Sequence, residues 1–154
     1  MEWMLMPYRR LYGAIAGRSS RREFWMFTLL NFIIVAAYIT LFAMVFGASA
    51  FAPENLQAGL LGGGVAIMLL LFIPLYLWAI VTFPAMIAVT IRRFHDLNLS
   101  GWLYVLFAVL GFVPFVNILS SLGLLVMMCI KGTDGTNKYG ADPTRPDDPS
   151  DVFG

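Results

Sequence analysis

The stretch Arg92-Arg93-Phe94-His95-Asp96-Leu97-Asn98-Leu99-Ser100-Gly101-Trp102, RRFHDLNLSGW, decides how the chain is read. It holds the chain's only histidine, two arginines and an aspartate, and it follows an uncharged run that reaches back to Asn55. A further uncharged run, Leu97 to Ile130, begins inside it. Apolar runs on both sides of a charged island are the pattern of membrane segments joined by a turn at the water surface.

Composition agrees with that reading. The 154 residues are 60% hydrophobic and 12% charged, with a mean hydropathy of +0.80, whereas a soluble domain carries about 25% charged residues. The expected fold class is an all-α integral membrane protein, a small helical bundle of about three to four transmembrane segments with an N-terminal interfacial helix. One membrane domain over residues 1–143 is expected, followed by a disordered tail, 144–154, rich in Pro and Asp. The net charge of +1 leaves no nucleic-acid footprint, and the single cysteine, Cys129, has no second cysteine in the chain to pair with.

Spans are expected at 21–47, 60–91 and 101–131. Phe24 to Phe46 would make about 35 Å of helix, one crossing with modest tilt. Leu60 to Ile91 would make about 48 Å, so it projects beyond the hydrocarbon or bends at Pro74 and Pro84, which lack the amide hydrogen that a helix needs. The third block has Gly111, Pro114 and Asn117 near its middle. It is open between one kinked span and two short helices folded back as a hairpin, split near 111–117.

Orientation follows from the arginines. Arg9, Arg10, Arg18, Arg21 and Arg22 precede the first span, and the stretch Gly47 to Gly59 has no Lys or Arg. The N-terminus is therefore expected in the cytoplasm, with Arg92 and Arg93 returning to the same side in a multi-pass topology. Lys131, Lys138 and Arg145 favour a cytoplasmic C-terminus as well. Ser20-Arg21-Arg22-Glu23 matches a capping box, which starts the first span at about Arg21, and Ser100 is placed to cap the third block. Trp3 to Ala16 groups Trp3, Tyr8, Leu11, Tyr12 and Ile15 near one face, as in a helix lying in the interface.

Three polar motifs then fall at one membrane surface: GRSSRREFW (Gly17 to Trp25), RRFHDLNLSGW and, if the C-terminal segment is inside, GTDGTNKYG (Gly132 to Gly140). The candidate cluster is Arg18, Arg21, Glu23, Arg92, Arg93, His95, Asp96 and Asn137. Its structural reading is a latch, with Arg92 and Asp96 paired four residues apart on one helix. Its functional reading is an anion site for phospholipid headgroups, since forked guanidinium donors match phosphate. A partner protein or a second copy of the chain is the other occupant considered.

Other chemistries are poorly provided for. One histidine and its adjacent aspartate supply too few ligands for a structural zinc, and Asp134 to Asn137 lacks the calcium-loop pattern. No cofactor motif occurs. A lipid-modifying enzyme would have to use His95 with Asp96, without a nucleophile elbow around any serine. No Asp, Glu, Lys or Arg lies in mid-span, so a transport pathway would need an oligomer.

The three motifs in this order resemble the bacterial inner-membrane family known as domain of unknown function 805. Its pattern begins G-R-x-x-R-x-E-[YF]-W, matched by Gly17, Arg18, Arg21, Glu23, Phe24 and Trp25. The middle, R-R-[LF]-H-D-x-x-x-S-[GA]-W, is matched by Arg92 to Asp96, Ser100, Gly101 and Trp102. The end, G-x-N-x-[YF]-G-x-[DP]-P, is matched by Gly135, Asn137, Tyr139, Gly140, Asp142 and Pro143. The likeness covers roughly residues 8 to 143 and implies a small helical protein of the bacterial inner membrane. It implies no activity.

Overall fold

The structure, a computed structural model, describes residues 2–9, 15–50 and 63–144. Among these lie five helices: α1 (Glu2–Arg9), α2 (Arg21–Ala50), α3 (Gly64–Asp96), α4 (Trp102–Leu110) and α5 (Val116–Cys129). The described residues form no strand, only an isolated antiparallel bridge between Asn137 and Gly140. The expected interfacial helix is α1, which reaches Arg9; residues 10–14, over which it was expected to continue, lie outside the described residues, as does the tail beyond Thr144.

α2 starts where its cap requires. Ser20 Oγ accepts the Glu23 amide at 3.2 Å, satisfying one of the free first-turn donors. With 30 and 33 residues, α2 and α3 extend about 45 and 50 Å, more than the roughly 30 Å of a hydrocarbon core. Both are long and apolar enough to cross a membrane. α3 runs unbroken through Pro74 and Pro84.

The third apolar block is two helices. α4 has 9 residues and α5 has 14, about 14 and 21 Å, so neither alone matches a bilayer core of about 30 Å. The break falls at residues 111–115, where Pro114 removes a donor and Phe115 has φ 65°, a left-handed conformation unusual for a bulky residue. Asn117 lies inside the first turn of α5 rather than at the break. α4 and α5 are joined by Ser120 Oγ, which donates to the Phe107 carbonyl at 3.3 Å. Gly123 faces the Phe107 ring, where an added Cβ would make an ordinary contact at 3.4 Å.

The chain divides into two compact units. The mid-chain unit, Leu29–Phe83, holds most of α2 and more than half of α3. Its apolar side chains point outward all round: Phe32, Ile39, Leu70 and Phe83 are all strongly exposed. Water would not tolerate such a surface at this density, and hydrocarbon does. The terminal unit, Met1–Thr28 with Pro84–Gly154, holds a core of Phe24, Phe27, Ala85, Val89, Phe94 and Met128. Tyr8 of α1 meets Phe27 edge-on at 5.1 Å, and Phe94 stacks on Phe107 of α4 at 6.0 Å. All three polar motifs belong to this unit.

Candidate functional site

The site is built where the N-terminus of α2, the C-terminus of α3 and the segment after α5 meet. Arg18 arrives from the turn before α2, in which Gly17 adopts φ 89°, a conformation that favours glycine. Ser19 ties this turn to α3, its amide donating to the Arg92 carbonyl at 3.1 Å.

Arg18 has five donors and uses them fully. Nε donates to Asp96 Oδ1 at 3.0 Å, and Nη2 reaches the same oxygen at 2.9 Å. Nη2 also donates to the Thr133 carbonyl, and Nη1 to the carbonyls of Gly135 and Gly140. Arg93 donates to Asp96 Oδ2 and to the Ile130 carbonyl at the end of α5. Arg92 pairs with Glu23 across α3 and α2 at 3.3 Å. The arginines are 4%, 0% and 2% exposed in that order. Burial at this level is sustained only where every charge is answered.

The pairing differs from the expected one. Asp96 takes Arg18 and Arg93 as ion-pair partners, and Arg92 takes Glu23. The reason is geometric: Arg18 approaches Asp96 with two nitrogens from outside the helix, and Arg93, one turn back, closes the other oxygen. Glu23 is thereby drawn to Arg92, instead of reaching back to the Ser20 amide as a full capping box would have it. Arg21, also a candidate, is exposed and donates to the Cys129 carbonyl at 3.3 Å.

Asn137 joins the cluster, as its motif does. Its Nδ2 donates to the His95 carbonyl at 2.9 Å and to Thr133 Oγ1 at 2.9 Å, while Thr133 bonds the Asp96 carbonyl through its amide and its hydroxyl. His95 points elsewhere. Its Nδ1 lies 3.2 Å from the Gly17 carbonyl, and Tyr139 stacks on the ring at 3.9 Å, nearly parallel. No hydrogen bond links His95 to Asp96 or to a serine hydroxyl among the described residues. A general-base dyad is thus not assembled.

Several participants carried no signal in side-chain chemistry. The carbonyls of Ile130, Thr133, Gly135 and Gly140 are acceptors that any residue could supply. Gly132 matters for what it lacks: a Cβ there would stand 2.0 Å from Asp96 Oδ2. Asp142 is buried, with Oδ1 accepting from the Thr144 amide at 2.8 Å and hydroxyl at 2.6 Å. Burial alone would raise its carboxyl. The Thr144 bonds, the charge of Arg18 and the Gly135 amide outweigh that and hold it below the usual carboxylate range.

Buried charges among the described residues thus number three arginines, Arg18, Arg92 and Arg93, against three carboxylates, Glu23, Asp96 and Asp142. The cluster is close to neutral, and its ion pairs close on themselves, while Arg92 Nε, Arg93 Nε and Ser19 Oγ are buried and make no hydrogen bond among the described residues. Among the described residues no group of three or more His, Cys, Asp or Glu side chains could hold a metal ion.

A charge-compensated knot at the ends of long apolar helices defines a class, a helical membrane protein locked at one end by buried ion pairs. The chain belongs to the family described as "Protein of unknown function (DUF805)", whose model matches residues 12–141. It is 37% identical to the inner membrane protein YhaI of Escherichia coli K12, over 93% of this chain and 96% of that protein. It is 31% identical to the inner membrane protein YhaH of the same organism, over 93% and 97%. No solved structure matches. The three motifs that carried the resemblance are the three strands of the knot.

Proposed function

We propose that the chain is a non-enzymatic module of the bacterial inner membrane, crossing it with α2 and α3 and keeping its N-terminus in the cytoplasm. In this reading α4 and α5 dip into the membrane as a re-entrant hairpin and return, which is why Lys131 and the motif after it meet the ends of α2 and α3. The excess of arginine before α2 and at the end of α3 supports the orientation. Phe112 and Phe115 at the hairpin tip, 90% and 89% exposed, suit a tip in hydrocarbon.

The polar cluster is the latch of this module. The observation that carries this is the burial of Arg18, Arg92 and Arg93 with acceptors drawn from the chain itself. Guanidinium groups committed in this way have little left for a phosphate. Contact with anionic headgroups falls instead to the exposed Arg21 and Arg22. The test uses full-length protein in detergent, measuring thermal unfolding and retained phosphatidylglycerol. Arg93→Gln should lower the midpoint sharply, whereas Arg21→Gln with Arg22→Gln should lower the retained lipid and leave the midpoint in place. An unchanged midpoint for Arg93→Gln would overturn the latch. A reporter fused after Gly154 and read outside the cytoplasm would overturn the topology.

A further inference from the structure

Beside the latch, a groove of about 450 Å³ is lined by Ile15, Ile91, His95, Ser100, Trp102 and Val105. It lies where α3 ends and α4 begins. Three observations converge on what it would take. First, the Nδ1 of His95 faces a backbone carbonyl, which can only accept, so Nδ1 holds the proton and Nε2 of the neutral ring is left as an acceptor. Nε2 points at Gly101, where an added Cβ would stand 3.2 Å from it, and no hydrogen bond reaches it among the described residues. His95 is only 8% exposed, so this is an acceptor in a confined place. Second, the groove's own lining carries no Lys, Arg, Asp or Glu, and the charge beside it is Lys138, whose Nζ lies 5.0 Å over the ring of the lining residue Tyr139. Third, apart from Ser100, Gly101 and the Tyr139 hydroxyl its remaining walls are aliphatic or aromatic, and the Trp102 indole is 78% exposed, a face that attracts a cation.

We propose that this groove binds a zwitterionic membrane lipid with a primary ammonium headgroup, the ammonium donating to His95 Nε2 beside the Trp102 ring and an acyl chain lying along Ile15, Ile91 and Val105. The site is separate from the arginine latch; it rests on the reading above only in placing this end of the molecule at a membrane surface. Gly101 packs closely against one wall of the groove, since a Cβ there would stand 2.7 Å from Ile91 Cγ2 and would displace it.

Phosphatidylethanolamine and phosphatidylcholine with identical chains make the decisive pair. They share phosphodiester and tails and differ in that the trimethylated ammonium cannot donate. Native mass spectrometry of the full-length protein, titrated with each lipid in detergent, should show phosphatidylethanolamine bound roughly tenfold more tightly, the effect of one hydrogen bond to a charged group. His95→Phe, which keeps a ring for Tyr139 to stack on, should erase that preference. Ile15→Trp, which fills the groove from a wall outside the latch, should weaken both lipids and leave the thermal midpoint unchanged. Equal binding of the two lipids by the wild type would overturn the inference, as would a preference for phosphatidylglycerol or a His95→Phe variant that still discriminates. The side of the membrane reported by the Gly154 fusion is read independently, so loss of the topology and loss of the lipid site are told apart.

Discussion

The two compact units solve opposite problems with the same two helices. In the mid-chain unit, side chains such as Leu70 are exposed and apolar, Phe42 and Phe72 meet edge-on at 6.2 Å, and little is buried. In the terminal unit, the largest fully buried side chains are Arg92 and Arg93. A soluble protein would reverse this, with arginine outside and leucine within. The contrast teaches that the solvent sets the rule: where hydrocarbon surrounds the chain, burying apolar surface gains little, and specific polar pairing supplies what holds helices in register.

That contrast can be broken most forcefully at Arg18. Arg18→Ala would strip Asp96 of one partner and leave the carbonyls of Thr133, Gly135 and Gly140 unmet, at a cost of about 3–5 kcal/mol. Thermal unfolding in detergent should show it as the most damaging single change discussed here. Gly132→Ala ranks next. Its Cβ would collide with Asp96 Oδ2, and displacing a carboxylate held by two arginines should cost about 1–3 kcal/mol, seen as a lower midpoint at unchanged helix content by circular dichroism.

A weaker lever is pH. Because the Asp142 carboxyl is held below its usual range, it stabilises the segment around Thr144 fully above the ordinary carboxylate value. That contribution disappears as pH falls through the depressed value in the folded state. The protection factor of the Thr144 amide, its exchange rate taken relative to the intrinsic rate at each pH, should fall on acidification, and Asp142→Asn should remove the dependence. Smallest of all is Leu70→Val in the mid-chain unit. At 74% exposure it should shift the midpoint by no more than about 0.5 kcal/mol, and a larger shift would mean that this face is packed against another protein surface.

The helices were legible because hydrocarbon imposes length and composition: the Ser20 cap marks the start of α2, whereas α3 runs on to Asp96, past the end expected at residue 91. That Arg18, Glu23, Arg92, Arg93, Asp96 and Asn137 lie together was legible too, from three polar motifs falling at the ends of the apolar runs. Which arginine answers which carboxylate was not. Spacing along one helix favours Arg92 with Asp96, but Arg18 comes from 78 residues away and no local rule ranks it. Backbone acceptors and the bare Cα of Gly132 are equally silent, because their contribution depends on where the fold places them. The division of the third block was undecided for a similar reason: Gly111 and Pro114 permit a break, and the return of Thr133 to Asp96 completes one.

Arg18 also has a place in time. Its carbonyl partners lie 115 to 122 residues further along the chain. During synthesis at about 5–20 residues per second, several seconds separate the emergence of Arg18 from that of Gly140. Until then Arg18 has Asp96 as its ion-pair partner but not the full set of carbonyl acceptors, and a chain stopped before Thr133 would lack all three. The cluster therefore reaches its full set of hydrogen bonds only late in synthesis, after the last of the three motifs has emerged.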